Sequence, residues 1–153
     1  MRHYPANSSK AAGRLLALAL LADGAIDPAE LAVLQRQEIL ERLGLSEEQF
    51  DSLIHEFCED LLASAHRSPA GHLELGRQAL RRLFDDVRDR RLQRELLRAM
   101  LAIVHADVRV GEGEATLLML ATESWDMQLY EAARIDVPRG RRWAASASLT
   151  ASA

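Results

Sequence analysis

Ala22-Asp23-Gly24-Ala25-Ile26-Asp27-Pro28-Ala29-Glu30 and Ala106-Asp107-Val108-Arg109-Val110-Gly111-Glu112-Gly113-Glu114 are two copies of one signature. In each, an apolar stretch ends in Ala-Asp, a short turn follows, and a Glu stands seven residues after the Asp. The offset between copies is 84 residues (107 minus 23, and 114 minus 30). Residues 15–22 and 99–106, which lead into the two copies, are apolar on every side, the mark of helices enclosed by neighbours. Two enclosed helices, each followed by the same turn and a further helix, predict an all-α bundle of six to seven helices with an internal pseudo-repeat.

Composition agrees with that class. The 153 residues are rich in Leu, Ala, Arg and Glu, and only 5% are aromatic, which favours helices over sheet. The length suffices for one domain with a real core. A formal net charge of −4 does not point to nucleic acid as a partner. Cys58 is the only cysteine, so an intrachain disulfide or a Cys-based zinc site is excluded, and the residue reads as a small core group. Arg2, Lys10 and Arg14 ahead of the first apolar stretch loosely resemble a signal peptide. A similar stretch recurs inside the chain, however, and neither approaches the ~20 apolar residues that span a bilayer. The chain therefore reads as soluble and cytoplasmic, without stable membrane insertion.

Local signals place the elements. Residues 1–10 read as a loose arm and residues 11–136 as the helical domain. Residues 137–153, with the Arg139-Gly140-Arg141-Arg142 cluster and an Ala/Ser-rich end, read as a disordered tail. The first helix is expected over residues 11–23, stopped by Gly24. Asp27, Pro28 and Glu30 form a capping box that opens a second helix running to about Leu43, with Gly44 as its stop. Ser46 and Gln49 cap a third, whose buried stripe is Phe50, Leu53, Ile54, Phe57 and Leu61. Ser68-Pro69 predicts the start of a fourth, with Leu73, Leu80, Leu83, Phe84 and Val87 inward. A fifth starts near Asp89, a sixth near Gly111 or Glu112, and a short seventh after Asp126, carrying Leu129 and Tyr130. No strand-period alternation stands out.

Helix capping alone accounts for much of the first signature, but less of the second. There Gly111 replaces the cap acid Asp27 and Val108 replaces the stop glycine Gly24, while Asp107 and Glu114 remain. Asp23 and Asp107 each fall at the end of a helix, where the macrodipole disfavours a carboxylate by ~0.3–1 kcal/mol. A costly residue kept at the same place twice calls for a reason other than stability. Carboxylates from two helix junctions suit a hard divalent cation, which takes oxygen ligands and relieves their repulsion. The spacing is not that of an EF-hand, so such a site must be assembled across the two copies.

The first copy, followed by Gly44-Leu45-Ser46-Glu47-Glu48-Gln49-Phe50, resembles the TerB-like family over roughly residues 11–125. That family includes the tellurite-resistance protein TerB and the N-terminal module of DjlA-type co-chaperones. The resemblance implies an all-helical fold of two related halves, a role in tellurite or stress response without catalysis, and an acidic cluster that binds a divalent metal. Calcium, magnesium and manganese are the candidates. The positions that match the family's acids are Asp23, Asp27, Glu30, Asp107 and Glu114; Gly111 departs from the pattern and leaves one ligand missing.

Other candidates are weaker. His55, His66, His72 and His105 show no helical zinc spacing; His105, two residues before Asp107, is the one placed to orient a carboxylate. No phosphate loop, nucleophile elbow or catalytic triad spacing is present, so an enzyme is not expected. The arginines of residues 77–98, interspersed with Asp85, Asp86, Asp89 and Glu95, read as a solvated surface. They also allow an alternative function, a metal-independent adaptor whose acidic and basic faces dock protein partners. The oligomeric state is left open by the sequence.

Overall fold

The computed structural model describes residues 1–64, 66–67, 73–106, 111–129 and 132. The helices are α1 (Ser9–Leu20), α2 (Pro28–Arg36), α3 (Ile39–Arg42), α4 (Glu47–Ser64), α5 (Arg77–Asp85), α6 (Arg90–Val104) and α7 (Glu112–Trp125). Strands β1 (His66–Arg67) and β2 (Leu73–Glu74) pair antiparallel between α4 and α5. The architecture is the expected all-α bundle.

The two enclosed helices form its centre. Ala11, Ala12, Leu15, Leu16, Ala17 and Leu20 of α1 are each at most 1% exposed, as are Leu96, Leu97, Met100 and Ile103 of α6. α1 packs on α4 and α6, and α6 on α2 and α7, so the two halves meet along the α1–α6 seam. Burial at about 25 cal/mol per Å² of apolar surface makes this seam the main source of stability.

The local caps form as their residues dictate. Gly44 (φ 71) takes the left-handed conformation just past the end of α3, whereas α1 ends at Leu20, short of the expected residue 23, and the left-handed Gly24 (φ 89) lies in the turn beyond it. Ser46 and Gln49 close a reciprocal box at 3.0 and 3.1 Å, and Asp89 accepts from the Leu92 N–H at 2.8 Å.

Three expectations need correction. The second helix does not run unbroken to Leu43: Gln37 ends α2, Glu38 turns left-handed (φ 51), and α3 starts anew. Val33 and Leu34 of α2 and Ile39 and Leu40 of α3 are all buried, and the left-handed turn at Glu38 lies between the two pairs. Nor does a helix run on from Ser68-Pro69 through Leu73. Leu73 lies in β2, and α5 begins only after Gly76. A helix there would carry both Gly71 and Gly76 in its interior, each costing about 0.5–1 kcal/mol relative to Ala.

The N-terminal segment is not a loose arm. The Arg2 N–H donates to Asp60 at 2.7 Å, its guanidinium donates to Glu59 at 2.6 Å, and the Tyr4 hydroxyl donates to Glu56 at 2.5 Å. Beneath this strap Arg14 is only 2% exposed; it donates to Asp86 at 2.7 Å and to the Arg2 carbonyl at 2.5 Å, and stacks on the Tyr4 ring at 4.8 Å. Burial and the bond to Glu56 push the Tyr4 phenol up to about 12. Among the described residues, no helix is long and apolar enough to cross a membrane. The tail over residues 137–153 and Tyr130 lie outside the described residues.

Candidate metal centre

Asp23 is set by the way α1 ends. Leu21 closes the helix, the Gly24 N–H donates to the Leu21 carbonyl at 3.0 Å, and the intervening turn swings residues 22 and 23 across to the other half. There the Asp23 carboxylate lies against the start of α7. Gly111 is the N-cap of that helix (φ −73, ψ 159) and has no side chain to offer. A Cβ built on Gly111 would fall within 3.0 Å of both Asp23 oxygens. One built on Gly113 would fall within 3.0 Å of the Ala22 carbonyl oxygen and 3.3 Å from Asp23 Oδ1.

The carboxylate from the first half thus fills the space that a cap side chain at position 111 would take. Asp23 follows the C-terminal end of α1, as expected, but it also has a second helix end beside it. Its carboxylate sits at the positive N-terminal end of α7, where an anion is favoured. Asp23, from the other half, thus stands beside the position that a cap acid at 111 would take.

The two glutamates occupy equivalent places. The Asp27 N–H donates to Glu30 Oε2 at 3.2 Å, and the Ala29 N–H donates to Asp27 Oδ1 at 2.6 Å, completing the box on α2. On α7 the Gly111 N–H donates to Glu114 Oε2 at 2.8 Å, the one half of a box that glycine permits. Glu30 is 7% exposed and Glu114 2%, deep for carboxylates. Burial raises the Glu30 carboxyl above its ordinary value; the bond from the Asp27 N–H opposes this, and the charges of Glu114, Asp27 and Asp23 add to the rise. Acids of both halves therefore share one electrostatic neighbourhood, with Gly111 as the point where Asp23 and Glu114 meet.

Hard oxygen donors of this kind match a calcium, magnesium or manganese ion in chemistry. Asp27 and Glu30 each keep one carboxylate oxygen outside the hydrogen bonds just described. Among the described residues, however, no group of three or more carboxylates or histidines stands in a geometry that would hold a metal ion. Asp107, the fifth sequence-derived ligand, lies outside the described residues. His105 is exposed at the end of α6.

A family model described as tellurite resistance protein TerB matches residues 9–136. The chain belongs to the TerB family. Neither the curated proteins nor the solved structures gave a match. The TerB match starts where α1 starts, at Ser9, and takes in both copies of the acidic signature. Within this TerB domain the residues that sequence reasoning missed are glycines. Gly111 and Gly113 receive the 22–23 turn, and the signal that could have found them is a Gly-x-Gly at a helix start, where a missing Cβ admits another backbone. Arg14 was also missed: it read as one of three basic residues ahead of the first apolar stretch, whereas it is buried.

Proposed function

We propose that this TerB chain is a non-catalytic cytoplasmic module of a tellurite or general stress response, and that its acidic joint takes up a divalent cation. The observation that carries the reading is the meeting of acids from both halves: Glu30 and Glu114 are buried at the starts of α2 and α7, and the Asp23 carboxylate lies against Gly111, whose N–H donates to Glu114. Like charges held together at low exposure repel, and a divalent cation among them removes the repulsion and becomes a source of stability. Asp23, Asp27, Glu30, Asp107 and Glu114 would be the donors. The ion would join the halves electrostatically; the residues themselves already join them sterically through Asp23 and Gly111. The link to tellurite rests on the description of the family.

Calorimetric titration of the full chain with calcium, magnesium and manganese tests the proposal. The expected result is saturable heat with at least one of them, lost in Asp23→Asn and in Glu30→Gln. No heat with any of the three, from protein first stripped with a chelator, would refute it.

A further inference from the structure

Among the described residues the arginines of α5 have no side-chain partner. α5 packs its Leu83 and Phe84 side inward, against α1 and α7. Arg77, Arg81 and Arg82 are exposed, and among the described residues none of their side chains makes a hydrogen bond or ion pair. Asp85 is the one acid on that helix. α4 has the opposite character. It carries Glu47, Glu48, Asp51, Glu56, Glu59 and Asp60, with neither Lys nor Arg anywhere along its length. The acids near its end are used by the N-terminal strap: Glu56 by Tyr4 and Lys10, Glu59 and Asp60 by Arg2. Glu48 and Asp51, in its first turns, are exposed and have no side-chain partner among the described residues.

Surface arginines usually sit beside acids that neutralise them, and here the two signs are sorted onto different helices. The spacings also match. Arg77 and Arg81 are four residues apart, Glu48 and Asp51 three, and both intervals place the side chains one turn apart on one helix face, about 5–6 Å between Cβ atoms. Two rungs of guanidinium can therefore face two rungs of carboxylate without either helix changing shape, with Arg82 and Glu47 flanking them. Guanidinium and carboxylate are geometrically complementary, which favours such pairs over lysine-based ones.

We propose that the α5 face of one copy docks on the first turns of α4 of a second copy. The contact joins unlike patches, so it is head-to-tail and extends into rings or open chains. Exposed charge pairs without an apolar centre make a weak contact, steered at long range and suppressed by salt. The contact needs no cation and does not depend on the function proposed above.

Sedimentation velocity of the full chain, in chelator, tests this at about 20 mM and about 300 mM salt, which shortens the screening length roughly fourfold. At low salt the average sedimentation coefficient should rise with protein concentration; at high salt it should stay at the monomer value. The variant Arg77→Glu/Arg81→Glu and the variant Glu48→Lys/Asp51→Lys should each weaken association by about tenfold or more. An equimolar mixture of the two variants should associate again, because one then carries two acidic patches and the other two basic ones. Recovery in the mixture also demonstrates that both variants are folded. A monomer at every salt and concentration would overturn the proposal, as would association that survives both reversals. So would α5-dependent binding of an anionic vesicle or nucleic acid by a chain that does not self-associate.

Discussion

Replacing Gly111 by Ala puts a single methyl group where the Asp23 carboxylate now lies. The added Cβ would come within 3.0 Å of both carboxylate oxygens, so Asp23 must rotate away. The backbone itself does not object, since φ −73 and ψ 159 suit any residue. The intrinsic effects of the exchange nearly cancel: Ala is a poorer N-cap than Gly, but it reduces the entropy of the unfolded chain by about 0.4–1 kcal/mol. What remains is the loss of the anion at the start of α7, about 0.5–2 kcal/mol by analogy with cap removal and helix-end charges. For a chain of this length that lowers the melting temperature by about 1–8 °C. Thermal unfolding of Gly111→Ala, Asp23→Ala and the double variant is the assay. Each single change should lower the midpoint similarly, and the double variant should lie within about 0.5 kcal/mol of Asp23→Ala alone. If Gly111→Ala is equally costly with and without Asp23, or stabilises the protein, Asp23 does not fill the cap position.

Gly113→Ala should be costlier, by about 1–3 kcal/mol, because its Cβ meets the Ala22 backbone carbonyl, which no rotamer change moves; chemical denaturation should show destabilisation where Gly→Ala in a helix ordinarily helps. Glu30 has a raised carboxyl, so the folded protein holds a proton that the unfolded chain has released. Cation-free stability should therefore be greatest below the unfolded value and fall as pH rises through the folded one. Glu30→Gln keeps an acceptor for the Asp27 N–H, should flatten that slope, and should raise the neutral-pH melting temperature by about 1–3 °C. Tyr4, raised to about 12 by burial and by Glu56, makes the fold lose stability as pH climbs from about 10 to about 12. Tyr4→Phe should remove that alkaline loss, measured by denaturation at several pH values, and cost about 1 kcal/mol at neutral pH for the hydrogen bond to Glu56.

Sequence reasoning reached the elements whose signals are local. Asp27-Pro28-Glu30, Ser46-Gln49 and Asp89 cap helices because each interaction spans two or three residues, and the chain alone determines it. The enclosed character of α1 and α6 was also legible, since a helix apolar all round has few alternatives to burial. What failed was non-local. α3 starts anew at Ile39 after the left-handed Glu38, and Leu73, expected on the inner side of the fourth helix, lies in a strand paired with Arg67. The strap over Arg14 joins residues more than fifty positions apart, which no window along the chain detects.

The repeated Asp-to-Glu spacing named Asp23, Glu30 and Glu114, but it could not show how the structure arranges them at the starts of α2 and α7. Gly111 looked like a missing ligand. It is instead the residue whose small size lets Asp23 reach α7, a relation that exists only between halves 84 positions apart.

The most direct test of the central claim is to locate the ion. Amide resonances of the full chain, followed while manganese is added, report proximity to the paramagnetic cation residue by residue. Selective broadening of amides in residues 22–30 and 111–115 is expected at low manganese, absent in Asp23→Asn and reversed by magnesium or calcium. Broadening centred on Glu47, Glu48 and Asp51 of α4, or none that discriminates between regions, would contradict it.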